Sequence, residues 1–112
     1  MAQIPQYKIV YTESAIQDIE EKADYIAAQF HDPDLAEEWY FRLKFEIQKQ
    51  LTTFPFKYQP YHVEPWEGRG VRQYVTRNDV VLYSVDEDGR QVFIRAVCTR
   101  GQDLAAHLAE QD

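Results

Sequence analysis

GVRQYVTRNDVVLYSVDEDGRQVFIRAVCTR, residues 70–100, decides how the rest of this chain must fold. Two turn signals, Asn78-Asp79 and Asp88-Gly89, divide it into three runs of alternating apolar residues, the pattern of a three-stranded antiparallel meander. If each turn has two residues, Tyr74 pairs with Tyr83 and Tyr83 with Ile94, on a face shared with Val81, Val85, Val92 and Ala96. The opposite face then carries Val71, Gln73, Val75, Arg77, Leu82, Ser84, Phe93, Arg95 and Val97. That mixture of apolar and cationic side chains suits a contact surface. The same register puts Arg72 on the core face, so it must lie at the strand edge or pair with a carboxylate.

A meander of this size cannot fold alone, and the flanking sequence supplies what it needs. Upstream, Tyr7-Lys8-Ile9-Val10-Tyr11 alternates as a strand and passes directly into a helix begun by Thr12 and Ser14, the latter at capping-box spacing from Gln17. Ile16, Ile19, Ala23, Ile26, Ala27 and Phe30 form its apolar side, with Asp18, Glu20, Glu21, Lys22 and Asp24 opposite; Asp18 and Lys22 read as a surface ion pair. Asp32 then caps a second helix whose first residue is Pro33. Its stripe of Leu35, Trp39, Leu43, Ile47 and Leu51, joined by Ala36, Tyr40 and Phe54, makes the pair an antiparallel hairpin that must pack on a sheet. Residues 55–70, PFKYQPYHVEPWEGRG, are broken by proline yet rich in rings, which predicts an ordered loop packed over an edge of the core. Beyond Gly101, Asp103 can cap a short terminal helix. The expected fold is α+β: β-α-α-β-β-β as a single domain over 1–112, the helical hairpin on one face of an antiparallel-rich sheet, with a short C-terminal helix.

Composition narrows the function classes. The chain has 112 residues and a formal charge of −7, which opposes generic binding to a polyanion. The charge is uneven: residues 1–68 hold six Lys or Arg against twelve Asp or Glu, while residues 69–112 hold six arginines against seven acids. The meander is locally basic within an acidic protein. Cys98 is the one cysteine, which excludes an intrachain disulfide and, on an apolar strand, reads as a small core residue. His31, His62 and His107 show no metal-ligand spacing and read as surface or loop histidines, so neither metal nor cofactor is expected. No signal peptide or membrane span is apparent, and a cytoplasmic location is expected.

In this order of elements the chain resembles the RelE/ParE superfamily of toxins from toxin–antitoxin pairs. The resemblance is carried by YKIVYTESAIQDIEEKADYIA, by the proline turn LTTFP, by GVRQYVTRNDVVLYSV, and by the last strand with its polar exit, VFIRAVCTRGQD. Gly70-Val71-Arg72 and the Val-Leu-Tyr centre of the next strand bring it closer to the ParE branch. The resemblance implies a toxin that inhibits growth by binding its target, DNA gyrase, and is neutralised by a cognate antitoxin laid along the helical hairpin and sheet edge. Arg72, Arg77, Phe93, Arg95 and Arg100 are then the candidate target- or antitoxin-contacting residues.

One alternative is a RelE-like ribosome-dependent messenger-RNA endonuclease, metal-independent, acting on the ribosome and its message. Its lysine positions fall on Val71 and Gln73 and its mid-sheet arginine on Val80; Arg100 matches the arginine after the last strand. Its terminal tyrosine falls near Ala106, beside His107. A nuclease would therefore need a rearranged set of Arg77, Arg95, Arg100 and His107. The other alternative is an inactive relative serving as a binding module.

Overall fold

A computed structural model describes residues 4–111. Strand β1 (Lys8–Tyr11) leads into helix α1 (Glu13–Phe30), followed by α2 (Pro33–Leu51), strands β2 (Arg72–Val75), β3 (Asp79–Asp86) and β4 (Gln91–Thr99), and helix α3 (Leu104–Gln111). The sheet order is β1-β4-β3-β2, with β1 parallel to β4 and the meander antiparallel. This is the predicted α+β fold with its hairpin, antiparallel-rich sheet and terminal helix.

The helix boundaries follow from local chemistry. Thr12, not Ser14, caps α1: its Oγ1 accepts the Ala15 N–H, and the same hydroxyl donates to the Ile94 carbonyl. Gln17 does not close a capping box but donates to Glu21. Asp32 caps α2 by accepting the Asp34 N–H, with Pro33 at the first helical position. His31, in the left-handed region at φ 51°, provides the reversal between the two helices.

Against the sheet, Ala15 and Ile19 of α1 and Trp39, Leu43, Ile47 and Leu51 of α2 pack on Tyr74, Val81, Tyr83, Val92, Ile94 and Val97. Burying each of the larger aliphatic side chains favours folding by roughly 1.5–3 kcal/mol. The α1 stripe is rotated from its expected position. Ile16 and Phe30 are exposed, whereas Asp18 is buried and Lys22 half-buried. Leu35 and Phe54 are also exposed, so the α2 stripe begins at Ala36.

Two details of the meander differ from the two-residue-turn expectation. Arg77 and Asn78 form the first turn, with Thr76 N–H donating to the Asp79 carbonyl, so Tyr74 pairs with Val81 and Arg72 with Tyr83. Sliding the turn by one residue moves the pairing by two, which leaves every β2 side chain on its expected face. Tyr83 pairs with Ile94 as expected, but a bulge follows: Leu82 pairs with Ala96, and Arg95 is the extra residue. Beyond it the alternation inverts. Ala96 moves to the face away from the hairpin and Val97 to the hairpin face.

The second face is partly closed. Val71, Val80, Leu82, Ala96 and Cys98 are covered by Tyr61 and Trp66 of the proline-rich loop and by Leu108 of α3. The loop is tied to β2 through an isolated Pro60–Arg72 bridge and by Gln73 N–H donating to the Gln59 carbonyl. It is ordered and packed over a sheet edge, as its rings predict.

Candidate functional site

The structure distributes the five candidate contact residues. Arg72 lies on the edge strand, as its register requires, but its partners are carbonyls: Nη1 donates to Tyr58 O at 2.6 Å and to Phe56 O at 3.3 Å, with the Phe56 ring 5.1 Å from the guanidinium carbon. It binds the loop to the sheet edge. Arg95 occupies the bulge, where Nε donates to Ser84 Oγ at 2.8 Å. It lines a cavity of about 180 Å³ on the open face together with Arg69, Trp66, Val71 and Leu108. Phe93 sits half-buried on β4 opposite Ser84.

Arg77 and Arg100 lie together at one end of the sheet. The Arg100 N–H donates to Asn78 O and its Nη1 to Arg77 O, bracing the β2–β3 turn. Arg77 itself is exposed, and among the described residues its guanidinium has no partner. It lines a cavity of about 340 Å³ that α2 closes with Trp39, Arg42, Leu43 and Glu46. His107, in contrast, is held against α1, its Nε2 3.0 Å from both oxygens of Asp18. The cavities that His107 lines, beside Ser14 and Gln17 and beside Tyr25 and Thr99, include none of Arg77, Arg95 or Arg100. Those three arginines and His107 do not face one phosphate-sized space.

Sequence reasoning missed a buried polar network. Asp79, 4% exposed, accepts from Lys22 Nζ and, at 3.0 Å, from Trp39 Nε1, while Lys22 also donates to Thr99 Oγ1. Lys22 is thus not half of a solvated surface pair. Asp18 accepts the Val97 N–H at 2.9 Å. β1 pairs with β4 only as far as Ile94, so a side chain from α1 takes over where that edge loses its strand partner. His107 is likewise a helix-docking residue and not a loop histidine. The available signal was Asp18 itself, three residues after buried Ala15 and therefore inside the arc of α1 that faces the sheet.

The titratable groups near these cavities are restrained by burial. Desolvation, with Asp18 second, pushes the Cys98 thiol up to about 12, so it stays protonated and inert as a nucleophile at neutral pH. Burial and then neighbouring Glu46 push the Tyr74 phenol up to about 12. Among the described residues no group of three or more His, Cys, Asp or Glu could hold a metal ion. Nor is any described helix long and apolar enough to cross a membrane.

The family model described as "ParE toxin of type II toxin-antitoxin system, parDE" matches residues 9–104, from β1 to the start of α3. The chain belongs to the ParE toxin family. Within the wider RelE/ParE superfamily, the fold of this ParE-family chain is similar to that of a chain of the chromosomal ParDE system from P. aeruginosa. The TM-score is 0.67 at 17% identity, covering 83% of this chain and 95% of that one. It is also similar to a chain of the RelBE2 toxin–antitoxin complex from Mycobacterium tuberculosis, with a TM-score of 0.59 at 18% identity over 91% and 100% of the two chains. No curated protein sequence matches significantly. The ParE-family match takes in the whole meander, so Arg72, Arg77, Phe93, Arg95 and Arg100 all lie inside the matched region.

Proposed function

We propose that this ParE-family chain is a growth-inhibiting toxin that acts by binding DNA gyrase, and that a cognate antitoxin neutralises it in the cytoplasm. The observation that carries the reading is the family match over residues 9–104, joined to the side-chain commitments of the meander. Arg72 and Arg100 hold backbone carbonyls, Arg95 holds Ser84, and His107 is engaged by Asp18. A metal-free nuclease needs a base, a cationic clamp and an acid within reach of one phosphate, and these groups are spread over both faces and one end of the sheet. Contact chemistry requires only a shaped surface. Arg77, Arg95 and Phe93 present exposed or half-buried side chains for it, and Arg72 and Arg100 fix the backbone beneath.

Inducing the chain without its antitoxin is expected to filament cells, and the purified protein to block supercoiling by gyrase. Unaffected supercoiling with normal morphology overturns the gyrase reading. Cleavage of messenger RNA in the ribosomal A site replaces it with the nuclease, and absence of any growth effect with the inactive binding module.

A further inference from the structure

The cavity between α2 and the β2–β3 turn differs from the one lined by Arg69 and Arg95 in that neither of its arginines is tied to another group among the described residues. Its wall is aromatic and apolar, from Trp39, Leu43 and Tyr74, and its rim carries Arg42, Arg77 and Asn78. Of the two carboxylates in the lining, Asp79 is engaged, accepting from Lys22 and Trp39, and Glu46, one turn along α2 from Arg42, makes no ion pair with either arginine among the described residues. Among the described residues, the guanidiniums of Arg42 and Arg77 and the Asn78 carboxamide have no side-chain partner. Two planar forks of N–H donors beside an apolar wall have no bonded acceptor among the described residues, and the matching group is a carboxylate or a phosphate.

We propose that this cavity receives an acidic side chain of the antitoxin, gripped by Arg42 and Arg77; the proposal rests on the toxin–antitoxin reading above. Protein, and not nucleic acid, is the favoured source of the anion. A formal charge of −7 repels a polyanion at long range, whereas one carboxylate on a mostly neutral segment meets only the local arginines. The volume of about 340 Å³ has room for a side chain and an apolar neighbour, at the small end of the ~300–1,000 Å³ typical of ligand sites. An approach path adjoins it. β2 is an edge strand, the Gln59–Tyr61 loop bonds to it only as far as Gln73, and Val75 beyond is 47% exposed. An extended or helical segment laid along α2 and this open edge brings an Asp or Glu over the rim, with apolar neighbours toward Trp39 and Tyr74.

The test is the affinity of the purified full chain for the product of the adjacent small reading frame, by calorimetry, with neutralisation of growth inhibition scored in parallel. The double variant Arg42→Ala, Arg77→Ala is expected to bind about 100-fold more weakly, since each charged hydrogen-bonding group contributes roughly tenfold or more. Arg42→Lys, Arg77→Lys keeps the charge, loses the forks, and is expected to recover only part of the affinity. An unchanged thermal midpoint shows that the variants fold. Unaltered affinity in the double alanine variant, with the unsubstituted chain still bound and neutralised, overturns the carboxylate site and leaves the toxin–antitoxin reading standing. Failure of the unsubstituted chain to bind or be neutralised overturns both. Binding of a single-stranded oligonucleotide that is lost in the double variant overturns the choice of a protein carboxylate.

Discussion

On its hairpin face the sheet is closed by two long helices that bring buried charge with them, whereas on its open face it is closed by a proline-rich loop and an eight-residue helix that bring mainly rings. Each face buries one tryptophan, Trp39 or Trp66. The indole of Trp39 is tied to Asp79, which also holds Lys22, so packing and polar satisfaction on that face depend on one another. Trp66 lies under a guanidinium, with Arg69 4.9 Å from its ring, and works chiefly by area. The difference is that damage to the hairpin face leaves buried groups without partners, while damage to the open face leaves a space.

The strongest attack on that contrast is Asp79→Ala. It leaves Lys22, whose side chain is only 17% exposed, and the Trp39 N–H without their acceptor. Breaking a buried pair from one side costs about 3–5 kcal/mol, and urea unfolding should show a loss of that size. A loss under ~1 kcal/mol means that the network does not hold the hairpin to the sheet.

Trp66→Ala is next, at about 3 kcal/mol, the low end for deleting a buried indole, because an exposed loop can collapse into part of the space. Limited proteolysis within residues 59–70 should accelerate in step. If stability barely moves, the loop is an ornament on a sheet that stands open, and the contrast between the faces disappears.

How much of this was legible in the sequence follows from what each feature depends on. The element order, the hairpin and the ordered loop rest on local patterns that survive small errors, such as Asp32-Pro33 or the rings among prolines. Even the misplaced first turn did no harm to the faces of β2, because a one-residue slide moves pairing by two. The bulge at Arg95 was not legible. Nothing local marks it, since it exists where the β1–β4 pairing ends at Tyr11–Ile94 and the cap and first turns of α1 take over through Thr12 and Asp18, both distant in sequence. The same non-locality hid the network, in which Lys22 and Asp79 are 57 residues apart. Arg42 escaped attention for another reason. On a helix it reads as a solvated charge, and only the fold shows that it shares a cavity with Arg77.

A pH experiment sharpens the comparison further, because the one thiol lies on the open face and the strongly raised phenols, Tyr11, Tyr74 and most of all Tyr83, belong to the hairpin side. The Cys98 pKa is raised from 9.0 to about 12, chiefly by burial, and those of Tyr11 and Tyr74 from 10.0 to about 12. The folded state holds these protons more tightly than the unfolded chain does. Their stabilising contribution is therefore complete below the unfolded pKa and is lost as pH rises through the folded one. Stability should start to fall near pH 9 because of the thiol and more steeply above 10 as the phenols join. Each group contributes a slope of at most about 1.4 kcal/mol per pH unit. Cys98→Ala should delay the onset to about pH 10, and an onset unchanged by that substitution shows that the thiol is not responsible.

The smallest effect is expected where the functional claim is largest. Arg95 is the extra residue of the bulge, its side chain is exposed, and it makes one described side-chain bond, to Ser84. Because Thr12 and Asp18 hold the neighbouring backbone at Ile94 and Val97, the bulge does not need the guanidinium to persist. Arg95→Ala should therefore change unfolding free energy by no more than about 0.5 kcal/mol. The same variant, folded and soluble, should inhibit gyrase supercoiling less than the unsubstituted chain if this face grips the target. A large stability loss instead makes Arg95 a brace of the bulge. Unaltered inhibition by a fully stable variant moves the grip to the end of the sheet at the β2–β3 turn, where Arg77 has no partner among the described residues.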